Sequence, residues 1–215
     1  VKISSFSVPY VLFFFLIYSI HSEARAQRNG FTGLTIEAAS GYQSMRLSAK
    51  DLRVSNSKLS ISNRSIPNNI APKSISGVPF ALNVGYIFGV TESTTVGVRL
   101  EYNPQSSRYA VVILPGYGFT ERAKGYLRFG WAYMASSIGE TFPGAQSQTQ
   151  TAYFHGPTFG IGARYKIIED LYLYGEVNYY QYNDVGLTAT VGNNRLTGIV
   201  SSKAANILVG IGYRF

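Results

Sequence analysis

Eight charged side chains recur on one parity of an alternating pattern: Glu37, Arg99, Glu101, Arg128, Arg164, Lys166, Glu176 and Arg214. Their sequence neighbours on the other parity are apolar, such as Ile36 and Ala38 around Glu37, and Val98 and Leu100 around Arg99. Charges turned away from bulk water must be paired, so three acids among five bases predict a salt-bridge cluster in an interior. The functional alternative is a narrow pore whose surplus of positive charge favours anions. A second set of cations, Arg46, Lys50, Arg53, Lys58, Arg64 and Lys73, meets Asp51 alone between Gln43 and Gly77. That Ser- and Asn-rich stretch could hold anionic groups by charge. It reads equally well as a solvated loop with no partner.

Catalysis finds little support. His155 sits in Phe154-His155-Gly156-Pro157, and proline occupies the place where a His-x-Ser pair would put its hydroxyl. A nucleophile needs an adjacent base and a third group to orient that base, and no such trio is evident. His155 is therefore expected at an interface, with no catalytic residue assigned and the protein read as a non-enzyme. Glycines 156, 160 and 162 lie inside a strand pattern, which excludes a phosphate-binding turn into a helix. No metal-ligand spacing is present, and the chain has no cysteine, which removes thiol chemistry and disulfides. Neither a metal nor a cofactor is expected.

These residues need strands to position them. Two-residue alternation recurs over eight segments: Thr32–Tyr42, Phe80–Phe88, Thr95–Asn103, Arg108–Phe119, Tyr126–Met134, Tyr153–Ile167, Leu171–Tyr182 and Ala204–Phe215. Each is near the 9–11 residues with which a tilted strand crosses a bilayer. Short connections (Val90–Thr94, Thr120–Gly125, Ile168–Asp170) alternate with Gln43–Gly77, Pro104–Ser107, Ala135–Ala152 and Asn183–Lys203, three of which are long. Short turns at one end and long loops at the other are the pattern of transmembrane barrels.

Aromatic residues sort to the two ends. Tyr42, Phe80, Tyr102, Tyr109, Tyr133, Tyr153 and Tyr179 fall beside the long loops, whereas Tyr86, Phe88, Tyr117, Phe119, Tyr165, Tyr213 and Phe215 fall beside the short turns. Two such girdles mark the two membrane interfaces. Pro115 and Pro157 fit poorly, because proline donates nothing to a ladder. They predict either shorter strands or local bulges. Leu59 and Ile61 also alternate, so ten strands with an extra hairpin at Leu59–Asn63 remain an alternative to eight.

Composition agrees with a surface that is partly not aqueous. Charged residues make up 14% of the 215 residues, against roughly 25% in soluble domains. A soluble barrel carrying small apolar ligands would have the same alternation turned inside out. Its water-facing side would then be the Gly-, Ala- and Asn-rich set, which carries too few charges for that role. Residues 1–26 read as a secretory signal peptide: Lys2, then the apolar Val11–Ile17, then Ala24-Arg25-Ala26 as a cleavage signal. Residues 27–215 are the expected mature domain. Secretion makes nucleic acid a poor explanation of the 19 Lys+Arg against 11 Asp+Glu.

The C-terminal run Val209-Gly210-Ile211-Gly212-Tyr213-Arg214-Phe215 resembles the last strand of bacterial outer-membrane barrels, which ends on an aromatic with a second aromatic two residues earlier. Gly160–Tyr182 is similar to the penultimate hairpin of small OmpA-like, opacity-type barrels. The resemblance implies an all-β, eight-stranded antiparallel up-and-down barrel in the bacterial outer membrane, with both termini periplasmic. It implies insertion by the barrel-assembly machinery, with Tyr213 and Phe215 as the residues read; the chain departs from the family's two-domain members, so a peptidoglycan-binding module and a cell-wall tether are not expected. Outer-membrane lipid and lipopolysaccharide are the implied partners, and a host or surface ligand on the loops is a further one. The expected role is envelope structure or surface binding. A narrow porin-like channel, an outer-membrane lipid-modifying enzyme and a secreted small-ligand carrier are the alternatives.

Overall fold

The computed structural model describes residues 30–56, 61–65, 73–137, 151–191 and 194–215. The expected leader, 1–26, and Lys58 lie outside the described residues. Eleven strands follow one another: β1 (Gly33–Asn56), β2 (Ile61–Ser65), β3 (Lys73–Gly77), β4 (Phe80–Gly89), β5 (Thr94–Asn103), β6 (Arg108–Gly118), β7 (Ala123–Ser137), β8 (Thr151–Lys166), β9 (Leu171–Gln181), β10 (Val185–Val191) and β11 (Asn194–Arg214). Antiparallel ladders run β1-β4-β5-β6-β7-β8-β9-β11, and β11 pairs back onto β1. The result is a closed eight-stranded barrel. Closure satisfies the backbone donors and acceptors that an open sheet would leave bare in lipid.

The two faces of the wall differ in kind. Outward positions are apolar and exposed, including Leu100 at 58%, Ile161 at 60% and Val209 at 64%. An unbroken belt of this sort is unfavourable against water and favourable against acyl chains. Inward positions mix bulky polar residues with glycines and, on β6, the apolar Ala110, Val112 and Leu114, and the glycines make room for rings. A Cβ at Gly162 would stand 2.5 Å from Cζ of Tyr126. Gly33 is needed for a different reason, its φ of 128° being closed to other residues.

Two strands run far past the expected boundaries. β1 and β11 stay paired from Thr35↔Arg214 to Asn56↔Asn194, with one shift between Lys50 and Arg53. Asp51 sits at that shift with a left-handed φ of 50°, the conformation found in one type of β-bulge. β3 meets β1 in the register of β4: Gln43 faces Gly77 just as Ser40 faces Phe80. Only Val78 and Pro79 interrupt what is in effect one stave. The expected loop Gln43–Gly77 is thus strand over 43–56, 61–65 and 73–77, and Asn183–Lys203 includes the β10/β11 hairpin. Ser- and Thr-rich composition hides these segments, because they stand outside the lipid band and need no apolar face. Of the possible extra hairpin, Leu59 lies outside the described residues, and β2 pairs with β1 without entering the closed ring.

The two prolines correct a further expectation. Neither ends its strand nor creates a bulge. Between Ile113↔Phe129 and Gly116↔Tyr126 the β6–β7 ladder skips its rungs but keeps its register, while β5–β6 pairing passes through Val96↔Pro115 unbroken. Pro157 lies beside the start of the β8–β9 ladder at Thr158↔Tyr180, yet Asn183 N–H donates to the His155 carbonyl at 2.8 Å, still in that register. One missing donor on one side of a strand is absorbed when the other side is fully paired.

Candidate functional site

The barrel interior has a floor and a mouth. The floor is built around Arg99 on β5, whose Nη1 lies 3.0 Å from Glu37 Oε2 and 2.6 Å from Glu176 Oε1, while Nη2 meets Glu101 at 2.6 Å. Arg164 binds the other oxygen of Glu37 at 2.6 Å, and Arg128 takes Glu101 through Nε at 2.9 Å. Tyrosine hydroxyls complete the carboxylate shells: Tyr172 donates to Glu37 at 2.7 Å and Tyr126 to Glu176 at 2.6 Å. Asn83 and Asn178 donate to Glu37 and Glu176 in turn. The guanidiniums also lie over rings, with Arg164 4.7 Å from Tyr126 and Arg128 5.2 Å from Tyr180.

Three carboxylates therefore meet three guanidiniums, and all six are buried or nearly so. The expected surplus of two cations is not inside this cluster. Arg214 lies at the short-turn rim and pairs with Asp170 at 2.7 Å. Lys166, also at that rim, holds its ammonium 5.3 Å from the Phe31 ring. Alternation carries information on face and none on depth. Two buried cations escaped the sequence reading. Lys124, 2% exposed, belongs to β7, which begins at Ala123 and not at Tyr126. Arg108, 4% exposed, stacks on Tyr180 at 4.1 Å and donates to Gln43 Oε1 at 2.8 Å. Both open a strand next to a turn, where a charge is ordinarily read as solvated. Phe31 closes the short-turn end, buried edge-on against Tyr172.

Above the floor the lining becomes apolar: Met45, Ala132, Met134, Phe154, Tyr182 and Ala204 form one buried cluster. There the walls are of unequal height. The β5–β6 turn is only Pro104–Ser107, and pairing stops at Leu82↔Tyr102 on one side and Arg108↔Met134 on the other. β3 continues to Leu47↔Lys73, and β7–β8 continues to Ser137↔Thr151. The low turn is the sill of a notch, and a cavity of about 490 Å³ opens there, between Met45 and Met134 below and Ile75, Val78 and Ser106 at the rim.

The cations of the first long connection divide. On β1, Arg46, Lys50 and Arg53 are exposed. Arg46 is directly opposite Lys203 of β11, which is also exposed. Arg64 lies in β2 and Lys73 in β3. They are not gathered on one loop tip.

His155 faces outward between Trp131 and Tyr133, its ring 6.0 and 6.2 Å from theirs. Its Nδ1 is 3.2 Å from Asn183 Nδ2. The nearest serine or threonine hydroxyl in that cross-strand row, Ser201, donates to Asp184 and stands one ladder beyond Asn183. Two strand spacings, about 10 Å, separate it from the imidazole, too far for the histidine to take its proton.

Comparison with known proteins places this geometry in a class. The model of the outer membrane protein beta-barrel domain matches residues 32–215. The chain belongs to that family and is a barrel of the bacterial outer membrane. Among solved structures, OprG from Pseudomonas aeruginosa superposes with a TM-score of 0.51 at 13% identity, covering 87% of this chain and 98% of that one. The outer membrane protease OmpT from Escherichia coli gives 0.50 at 8% identity, covering 85% and 97%. Ail of Yersinia pestis, solved with the heparin analogue sucrose octasulfate, gives 0.44 at 13% identity, covering 85% and 99%. At these identities the likeness is one of fold. No curated protein matches the chain.

Proposed function

We propose that this barrel is a non-enzymatic, non-conducting surface protein that engages the phosphates of lipopolysaccharide through the tall β1/β11 wall. The observation that carries the reading is the Arg46–Lys203 pair. Two cations directly opposed on one face of a ladder stand about 5 Å apart and repel. Among the described residues neither pairs with a carboxylate. An anion between them converts that repulsion into attraction. The pair stands four residues beyond Tyr42, whose ring lies at the girdle, which is headgroup height. Lys50 extends the same face.

The remaining assignments follow from this orientation. The short turns and both termini face the periplasm, the usual arrangement when short turns mark that side, and residues 1–26 are removed on secretion. Tyr213 and Phe215, outward and exposed beside that rim, are the positions the assembly machinery reads. The floor of paired charges supports a closed lumen, and planar-bilayer recordings of the folded protein are expected to show no stable channel. The separation of His155 from any serine or threonine hydroxyl in its cross-strand row supports a non-catalytic role.

Point variants test the surface reading better than deletion of 43–77, which would remove paired strand from the wall. Wild type and an Arg46→Glu/Lys203→Glu variant, refolded in zwitterionic nanodiscs, would be titrated with purified lipopolysaccharide. Weaker binding by the variant, with the heat-shifted gel mobility of a folded barrel retained, is expected. Equal affinity overturns the assignment.

A further inference from the structure

We infer that the notch above the β5–β6 turn is a binding site for a single-chain amphiphile bearing a carboxylate, and that the molecule enters it from the membrane side. The cavity of about 490 Å³ is within the size range of ligand pockets. It equals the volume of about 16 water molecules at about 30 Å³ each, room for a chain of ten carbons and its headgroup.

Its polar end is specified by groups that lack partners. Asn103 is 3% exposed and lines the cavity; its Oδ1 accepts the Ser106 N–H at 3.1 Å, whereas its Nδ2 has no partner. Ser106 Oγ, buried in the same lining, has none either. A buried donor left unpaired costs on the order of 1–3 kcal/mol, so these two require an acceptor. The Arg108 guanidinium is on the residue paired with Asn103 across the β5–β6 ladder, and both residues line a small neighbouring void with Glu101 and Glu176 of the floor, whose charges the floor guanidiniums already meet. Two donors backed by one cation select an oxygen acceptor carrying negative charge, and disfavour an ammonium.

The apolar end is specified by Met45 and Met134 from the chamber and by Ile75, Val78 and Pro79 from the rim. Thioether side chains adapt to chains of different length. Entry from the bilayer follows from where the sill lies. Gln105, on the low turn, accepts the Phe80 N–H at 2.9 Å, and Phe80 is a girdle residue. Tyr102 and Tyr109, stacked at 4.8 Å, stand on the outer wall just below the turn. The opening is therefore level with the interface, where a carboxylate-bearing amphiphile places its headgroup.

Photolabelling with decanoate bearing an ω-diazirine tests this site. The full barrel would be reconstituted in vesicles, with the probe either preloaded in the bilayer or presented outside on albumin, and labelled residues mapped by mass spectrometry. Preloaded probe is expected to label Met45, Ile75 and Met134 at least tenfold above lipid-facing Leu100 and Val111. Asn103→Asp keeps the turn acceptor and sets a carboxylate against the headgroup. It should cut labelling by decanoate tenfold or more and raise labelling by the matched decylamine probe. Met134→Trp fills the cavity and should abolish labelling by both, with gel mobility showing that each variant is folded. Uniform labelling of the outer wall, or an unchanged preference in Asn103→Asp, overturns the inference. Labelling that succeeds only with external probe overturns the membrane route.

Discussion

The floor and the mouth of this lumen use the same vocabulary of arginine, asparagine and tyrosine, yet the floor supplies carboxylates to its own guanidiniums, with Arg164 Nε and Nη1 left over, whereas the mouth offers its donors to open volume. In the floor, Arg99 is surrounded by Glu37, Glu101 and Glu176, and each carboxylate is shared with a further donor. In the mouth, Asn103 and Ser106 keep donors without acceptors beside a cavity. The difference teaches where specificity resides. Buried carboxylates met by guanidiniums of the same chain form a structural element, whereas unpaired donors that line a cavity have free energy to gain from a ligand that fits it.

The largest expected effect breaks the floor. Arg99→Met leaves three buried carboxylates short of a common partner, and loss of one member of a buried ion cluster costs about 3–5 kcal/mol. Urea unfolding of the refolded barrel, followed by gel mobility, would register it; a loss under 1 kcal/mol would mean that the three acids find other partners. Next comes the outer wall. Arg46→Gln with Lys203→Gln should weaken lipopolysaccharide binding by about 2 kcal/mol, at roughly 1 kcal/mol per cation near an anionic surface, and the difference should shrink as salt screens it. Tyr126→Phe removes one hydroxyl from Glu176, and a hydrogen bond to a charged group is worth about 1.5–3 kcal/mol; its cost in the same unfolding assay should fall below that of Arg99→Met. Ser106→Ala should be the mildest. Its hydroxyl has no partner to lose, so the substitution should cost no stability, and removing an unpaired donor can only add to it. If Ser106→Ala proved as costly as Tyr126→Phe, floor and mouth would not differ as described.

How much of this was legible in the residues varies with the constraint behind them. Period-two alternation gave all eight staves, because lipid on one side and a crowded lumen on the other force every strand residue to choose a face. The girdle tyrosines were legible for the same reason. Where that two-sided constraint ends, so did the reading. Ser44, Ser48 and Asn56 continue β1 beyond the bilayer, where neither face demands an apolar residue, and their sequence looks like loop. Lys124 and Arg108 are lumen residues at strand ends, indistinguishable in sequence from solvated turn residues.

Sequence alone therefore determined the class of architecture and the lipid-facing set, since each depends on local periodicity. Tertiary structure alone decided which charges meet. Arg164 reaches Glu37 across 127 positions of chain, and Tyr172 reaches it across 135. Contacts of that kind depend on strand tilt and closure register, quantities to which the pattern of any single strand is blind. The notch is of the same origin, because it exists only where one short turn is seated between taller neighbours.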